Sequence, residues 1–144
     1  MIVDSSALVA IVRQETDAHR YDEAIIAATG PRLSAATYLE ASFVVDGARD
    51  PVLSRQLDRY LEIMRIAIEP LTARQARIAR QAYRDFGRGS GHPARLNHGD
   101  CFAYALATDA GEPLLFKARD TQRSGAGPGG SDFVHTDVTP AVPR

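Results

Sequence analysis

One cysteine in 144 residues excludes an internal disulfide, so Cys101 suits a reducing, cytoplasmic setting. No apolar run approaches the ~18 residues that a membrane helix needs. No basic stretch leads into an apolar one as a secretory signal would, so no membrane partner is expected. An excess of charge of one sign is also missing: the formal net charge is −1 and the pI about 6.4. A nucleic-acid binder usually advertises itself by a basic surplus. Any polyphosphate partner must here be met by metal ions and by local arginines. Lysine is nearly absent too, Lys117 being the only one; with the abundant alanine, this reads as genome composition rather than function. Internal repeats are lacking. What remains is an ordinary globular composition, 44% hydrophobic, enough for a core in one domain expected to span residues 1–144.

Short apolar runs alternate with longer amphipathic ones. Met1-Ile2-Val3 reads as a buried strand. A helix follows over Ala7–Val12, with serine available as its cap. Thr16 is placed to cap a second helix ending near Ala28, before the break at Gly30-Pro31. Arg32-Leu33-Ser34 predicts a short strand. Ala36 to about Ala48 predicts a helix that turns Leu39, Phe43 and Val44 inward. Leu53, Leu57, Tyr60, Leu61 and Met64 recur at helical spacing. Ile66-Ala67-Ile68 predicts a third strand, and Thr72 caps a helix with a stripe of Ala76, Ala79, Tyr83 and Phe86. After the glycine-rich loop Gly87–Pro93, Asn97 is positioned to cap a helix from His98 to Ala110, stopped by Gly111. Leu114-Leu115-Phe116 predicts a fourth strand. The alternation argues an α/β domain with a central, mostly parallel sheet. Residues 118–131 hold a glycine-rich stretch expected to be a flexible insertion. Val134 and Val138 suggest a last edge strand, and residues 140–144 a frayed tail.

Four carboxylates follow strand-like runs or open the helices after them: Asp4, Glu40, Asp100 and Asp120. A parallel sheet gathers such positions at one rim, beyond the carboxyl ends of its strands. Clustered carboxylates repel unless a cation joins them, and oxygen ligands suit Mg²⁺ or Mn²⁺. Each acid also has a plainer reading. An acid in the first turn of a helix, as at Asp100, is commonly a cap or a dipole partner. Many α/β domains carry an acid after their first strand, as at Asp4. Glu40, beside a core-facing Leu39, is harder to dismiss, since a lone carboxylate near the core needs a partner.

Four blocks carry a family resemblance: Ile2-Val3-Asp4-Ser5-Ser6-Ala7-Leu8, Leu33-Ser34-Ala35-Ala36-Thr37-Tyr38-Leu39-Glu40, Leu96-Asn97-His98-Gly99-Asp100-Cys101-Phe102 continuing to Ala107, and Pro113-Leu114-Leu115-Phe116-Lys117. Together they resemble the PIN-domain toxins of VapBC toxin–antitoxin systems. The resemblance runs from Met1 to about Lys117 and resumes over Asp132–Val138. It implies a PIN-like three-layer α/β/α sandwich. It also implies the toxin of a type II pair: a Mg²⁺- or Mn²⁺-dependent endoribonuclease, held inactive by a VapB-like antitoxin and expected to form a homodimer. Asp4 and Asp100 would ligate metal, with Glu40 and a fourth acid. Ser6 would orient Asp4 or a metal-bound water, and Asn97 would buttress the helix start beside Asp100. The chain departs from the family where a short Gly-x-Asp-Phe segment usually follows Phe-Lys. An insertion splits that segment, leaving Asp120 at the spacing from the strand and Asp132 in the local motif. Asp120 is the favoured fourth acid and Asp132 the alternative.

Arg88 lies in the glycine-rich loop and Arg95 just after it, where they would hold RNA phosphates; that loop lacks the Gly-Lys-Ser/Thr ending of a P-loop. His19, His92, His98 and His135 show no ligand spacing and read as surface or capping residues. Cys101 reads as core. Two rival readings remain open: a catalytically weak binding module that mainly engages antitoxin or RNA, and a phosphoaspartate domain that uses Asp4 with Lys117.

Overall fold

The computed structural model describes residues 1–117. Ile2–Val3 forms β1, followed by helices α1 (Ser5–Val12) and α2 (Ala18–Ala27). Arg32–Ser34 forms β2, then α3 (Ala35–Asp46) and α4 (Pro51–Ile63). Ala67–Glu69 forms β3, then α5 (Ala73–Phe86), α6 (His98–Ala110) and β4 (Leu114–Leu115). Among the described residues no helix is long and apolar enough to cross a membrane.

The strands pair in the order β3-β2-β1-β4, all parallel, with Ile2 opposite both Arg32 and Leu114. Successive residues of a strand face opposite sides, and β1 separates two cores on this basis. Val3 joins Leu8, Ile25, Leu33, Leu57 and Leu61 on the side covered by α1 to α4. Ile2 joins Leu106 and Ala107 of α6 on the other side. Helix α5 then packs on α6 through Ala79, Ala82, Cys101 and Ala105. The result is the expected α/β/α sandwich with a parallel sheet. The order also turns back at β1, whose neighbours β2 and β4 come from opposite directions in the chain. A crevice opens at such a switch point, at the strands' carboxyl ends.

Local signals explain most boundaries. Thr72 and Gln75 close a capping box at the start of α5, and Gly111 ends α6 at φ 65°. Three expectations need correction. Asp4, not serine, caps α1, accepting from the backbone N–H of Ser6. Helix α2 starts after Asp17, which makes no side-chain cap bond, rather than at Thr16. Helix α3 is rotated from the expected facing: Thr37, Ala41 and Val45 are buried, while Leu39, Phe43 and Val44 are exposed. A smaller shift of the same kind occurs in α5, whose buried stripe is Gln75, Ala79 and Ala82, with Ala76 and Tyr83 exposed.

Candidate active site

The start of α1, the first half of α3 and the start of α6 meet at the carboxyl rim of the sheet. These helices therefore bring the positive ends of their dipoles to the place where acids collect. Asp4 sits one residue past β1, its N–H still bonded to the Leu115 carbonyl at 2.9 Å. Its Oδ2 accepts from the Ser6 N–H at 3.0 Å and from the Ser6 hydroxyl at 2.5 Å. The Ser6 hydroxyl in turn accepts from the Lys117 N–H at 2.9 Å. Asp4 is only 4% exposed, and its Oδ1 is buried without a hydrogen-bond partner. Burial pushes its carboxyl up to about 6; the Ser6 hydrogen bonds oppose this, and the charges of Asp100 and Glu40 add to it.

Asp100 lies at the third position of α6. It forms a reciprocal capping box with Asn97: the Asn97 N–H donates to Asp100 Oδ2, and the Asp100 N–H donates to Asn97 Oδ1, both at 2.7 Å. The plain reading of Asp100 as a cap partner is therefore correct. It does not compete with a second role, because the capping bond fixes the carboxylate at the rim beside Asp4. Glu40, on α3, accepts from the Ser5 hydroxyl through Oε2 at 2.9 Å. Its carboxylate lies against the α-carbon of Gly99, where a Cβ would overlap the carboxyl group.

Asp4, Glu40 and Asp100 are thus electrostatic neighbours on three elements. Among the described residues no three His, Cys, Asp or Glu side chains stand close enough together to enclose one ion. Asp4 and Glu40 each give one oxygen to hydrogen bonds within the protein. The donor set nonetheless fits a hard divalent cation: it is all oxygen, it includes a buried oxygen without a partner, and its mutual repulsion is what a cation relieves. Asp120 and Asp132 lie outside the described residues, as do the expected insertion, edge strand and tail.

The remaining candidates separate cleanly. Arg88 and Arg95 are exposed on the loop leading into α6, whose ends are tied by bonds between Arg88 and Leu96 and between Leu96 and Phe86. His92 packs edge-on against Phe86 at 4.9 Å and accepts from the Ala94 N–H, a structural role. Cys101 is buried, and burial first, then the Asp100 charge, pushes its thiol up to about 11. The Lys117 ammonium is held by Glu15 and Asp17, so it is not directed at Asp4 as a phosphoaspartate domain would require. Sequence reasoning missed Ser5 and Gly99. The signal for both was adjacency: a hydroxyl next to Asp4, and a residue without a side chain next to Asp100.

Comparison with known proteins bears on the family and the fold. The PIN domain family matches residues 1–124. VapC ribonuclease Mb0625 of Mycobacterium bovis and Ribonuclease VapC28 of Mycobacterium tuberculosis are each 54% identical over 144 residues, covering 100% of this chain and 99% of theirs. Ribonuclease VapC42 of Mycobacterium tuberculosis is 48% identical over 141 residues, with 98% of both chains covered. Among solved structures, Mycobacterium tuberculosis VapC20, described as a sarcin–ricin loop cleaving toxin, superposes with a TM-score of 0.63. That superposition covers 83% of this chain and 90% of VapC20 at 13% identity, a likeness of fold.

Proposed function

The chain belongs to the PIN-domain family as a VapC-type ribonuclease toxin, and from that premise we propose a divalent-cation-dependent endoribonuclease in which Asp4, Glu40 and Asp100 hold the cation, partly through waters that it keeps. The observation that carries the reading is Asp4 Oδ1, a buried carboxylate oxygen without a partner, beside two further acids. Leaving such a group charged and unpaired costs stability, and a functional site is where that cost is tolerated. When bound, Mg²⁺ or Mn²⁺ supplies positive charge for phosphodiester oxygens and a more acidic water. Ser6 keeps Asp4 from rotating, and Asn97 does the same for Asp100. Asp120 supplies the fourth acid, with Asp132 as the alternative. Arg88 and Arg95 hold RNA phosphates beside the start of α6.

The partners follow from the same reading: RNA as substrate, and a VapB-like antitoxin in the cytoplasm. A cleft of about 660 Å³ between α1, α2 and α4 offers an antitoxin helix the apolar residues Ile11, Val12 and Ile63, with His19, Asp22 and Arg59 among its polar lining. A second copy of the chain is assigned to the face of α3. Leu39 and Phe43 lie one helical turn apart there, 50% and 71% exposed, with Val52 of α4 also exposed. Phe43→Glu should turn a dimer into a monomer in light scattering while leaving far-UV circular dichroism unchanged. A parent that is monomeric at tens of micromolar removes this assignment.

Cleavage of RNA by the purified protein in Mg²⁺ or Mn²⁺ tests the function itself. Cleavage should stop in EDTA and return with the metal. Asp100→Asn should lower it by at least about tenfold, since metal-borne charge stabilisation is worth several kcal/mol. Undiminished cleavage in EDTA would sink the cation part of the reading. RNA or antitoxin binding without any cleavage would favour the binding module instead.

A further inference from the structure

We propose that Lys117 is a positioning residue for the Asp4 carboxylate: with its ammonium held by Glu15 and Asp17, it pins the end of β4 so that its own N–H orients the Ser6 hydroxyl. The inference rests on Asp4 being a cation ligand and extends it to residues outside the acid cluster.

The chain of contacts is continuous. A serine hydroxyl has one proton to give and can also accept. Accepting from the Lys117 N–H at 2.9 Å, the Ser6 hydroxyl turns its proton to Asp4 Oδ2 at 2.5 Å. With the Ser6 N–H also on Oδ2, that oxygen is doubly held, and Oδ1 is the one presented without a partner. The orientation of Asp4 therefore depends on where the Lys117 backbone lies.

That backbone is past the end of β4, where the strand ladder no longer holds it. The side chain supplies the anchor. Lys117 Nζ lies 2.5 Å from Glu15 Oε2 and 3.1 Å from Asp17 Oδ1. Asp17 is itself fixed, accepting from the Tyr21 hydroxyl at 3.0 Å, and Tyr21 is 2% exposed in the core. Glu15 sits in a turn closed by its N–H on the Ala10 carbonyl at 2.9 Å. The link thus runs from the buried Tyr21 of α2 through Asp17 and Lys117 to Ser6 and Asp4. Hydrogen bonding to Glu15, then to Asp17, pushes the lysine up to about 12 against the opposing effect of its partial burial, so it stays charged at working pH. The other basic side chains apart from histidine are arginines. A compact ammonium can donate to two converging carboxylates, whereas a planar guanidinium pairs in its own plane with one carboxylate at a time.

Calorimetric titration of Mn²⁺ into the metal-free full-length protein tests the clamp, paired with cleavage kinetics on an RNA oligonucleotide that the parent cuts. Lys117→Met should weaken Mn²⁺ binding about three- to tenfold, less than the roughly 10–100-fold of residues that bond a ligand directly, because Lys117 acts through Ser6. It should lower kcat by a similar factor and leave KM unchanged. Lys117→Arg, which keeps the charge but not the compact donor geometry, should recover only part of the loss. The pair Glu15→Gln and Asp17→Asn, which leaves the lysine in place, should reproduce the loss, and it serves alone if Lys117→Met fails to fold. On that background Lys117→Met should add less than about twofold, because coupled groups are not additive. A raised KM alone would make Lys117 an RNA contact and overturn the clamp. Unchanged Mn²⁺ affinity in Lys117→Met or in the Glu15/Asp17 pair would also overturn it. A parent that binds no Mn²⁺ overturns the cation reading of the site, and the clamp with it.

Discussion

Asp4→Asn should abolish cleavage and, in the absence of divalent cations, make the protein more stable than its parent. The activity loss should be about a hundredfold or more, because the ligand removed supports several kcal/mol of charge stabilisation at about tenfold per 1.4 kcal/mol. The stability gain has a separate cause. Burial, less the Ser6 hydrogen bonds and with the added repulsion of Asp100 and Glu40, raises the Asp4 carboxyl from 3.8 to about 6. Its charged form is therefore disfavoured in the folded protein. Below the ordinary value both folded and unfolded chains are protonated there, and no penalty exists. As pH rises through about 6 the folded protein must carry the buried charge, and the penalty reaches about 3 kcal/mol. Asparagine keeps the shape and never ionises. The stability difference between variant and parent should thus be small at pH 4 and widen up to pH 7, read by urea unfolding in EDTA. Other carboxylates move the opposite way; the Arg32 hydrogen bond, for instance, holds Glu112 low. The comparison must accordingly be variant against parent at each pH. Saturating Mg²⁺ should narrow the gap by stabilising the parent alone. A difference that stays flat with pH would show that Asp4 carries no buried charge.

Much of this site was legible in the chain because its determinants are local. Asp4 follows two apolar residues that can only be a buried strand. Asn97 stands three residues before Asp100, the spacing of a capping box, and Gly111 stops the helix. The resemblance to VapC toxins rests on the same short blocks. The facing of α3 was not legible. Its large apolar residues, Leu39, Phe43 and Val44, suggested an inward stripe, but the stripe that packs is Thr37, Ala41 and Val45. Small side chains let α3 lie close to α1 and α4, and a periodicity argument that weights bulk points to the wrong side. The α1–α2 connection misled for a related reason: Thr16 and Asp17 are both good caps by type, and tertiary bonds to Lys117 and Tyr21 claim Asp17. Beyond their adjacency to Asp4 and Asp100, Ser5 and Gly99 were not legible, because what matters about them is a contact with Glu40, more than thirty residues from either. No local pattern encodes such a pairing.

Gly99→Ala should separate activity from stability more sharply than any substitution of the acids themselves. A Cβ at position 99 falls inside the Glu40 carboxylate, so the two cannot coexist as they stand. The obstacle is the far end of a half-buried, flexible side chain, and Glu40 can swing toward solvent at little cost. Alanine also favours a helix over glycine by up to about 1 kcal/mol, and Gly99 is the second residue of α6, at ordinary negative φ. Thermal and urea unfolding should place Gly99→Ala within about 1 kcal/mol of the parent. Its carboxylate, however, leaves both the Ser5 hydroxyl and its place beside Asp4. Cleavage should fall about ten- to a hundredfold, the range for a misplaced group at a reacting centre. Mn²⁺ affinity should fall with it. In a Glu40→Ala background, already deprived of the acid, Gly99→Ala should cost no further activity and should raise stability, since only the helix-propensity gain remains. That change of sign between backgrounds is the diagnostic result. If Gly99→Ala lowers cleavage equally with and without Glu40, the glycine serves the RNA or the helix start directly, and the assignment of Glu40 to the site loses its support.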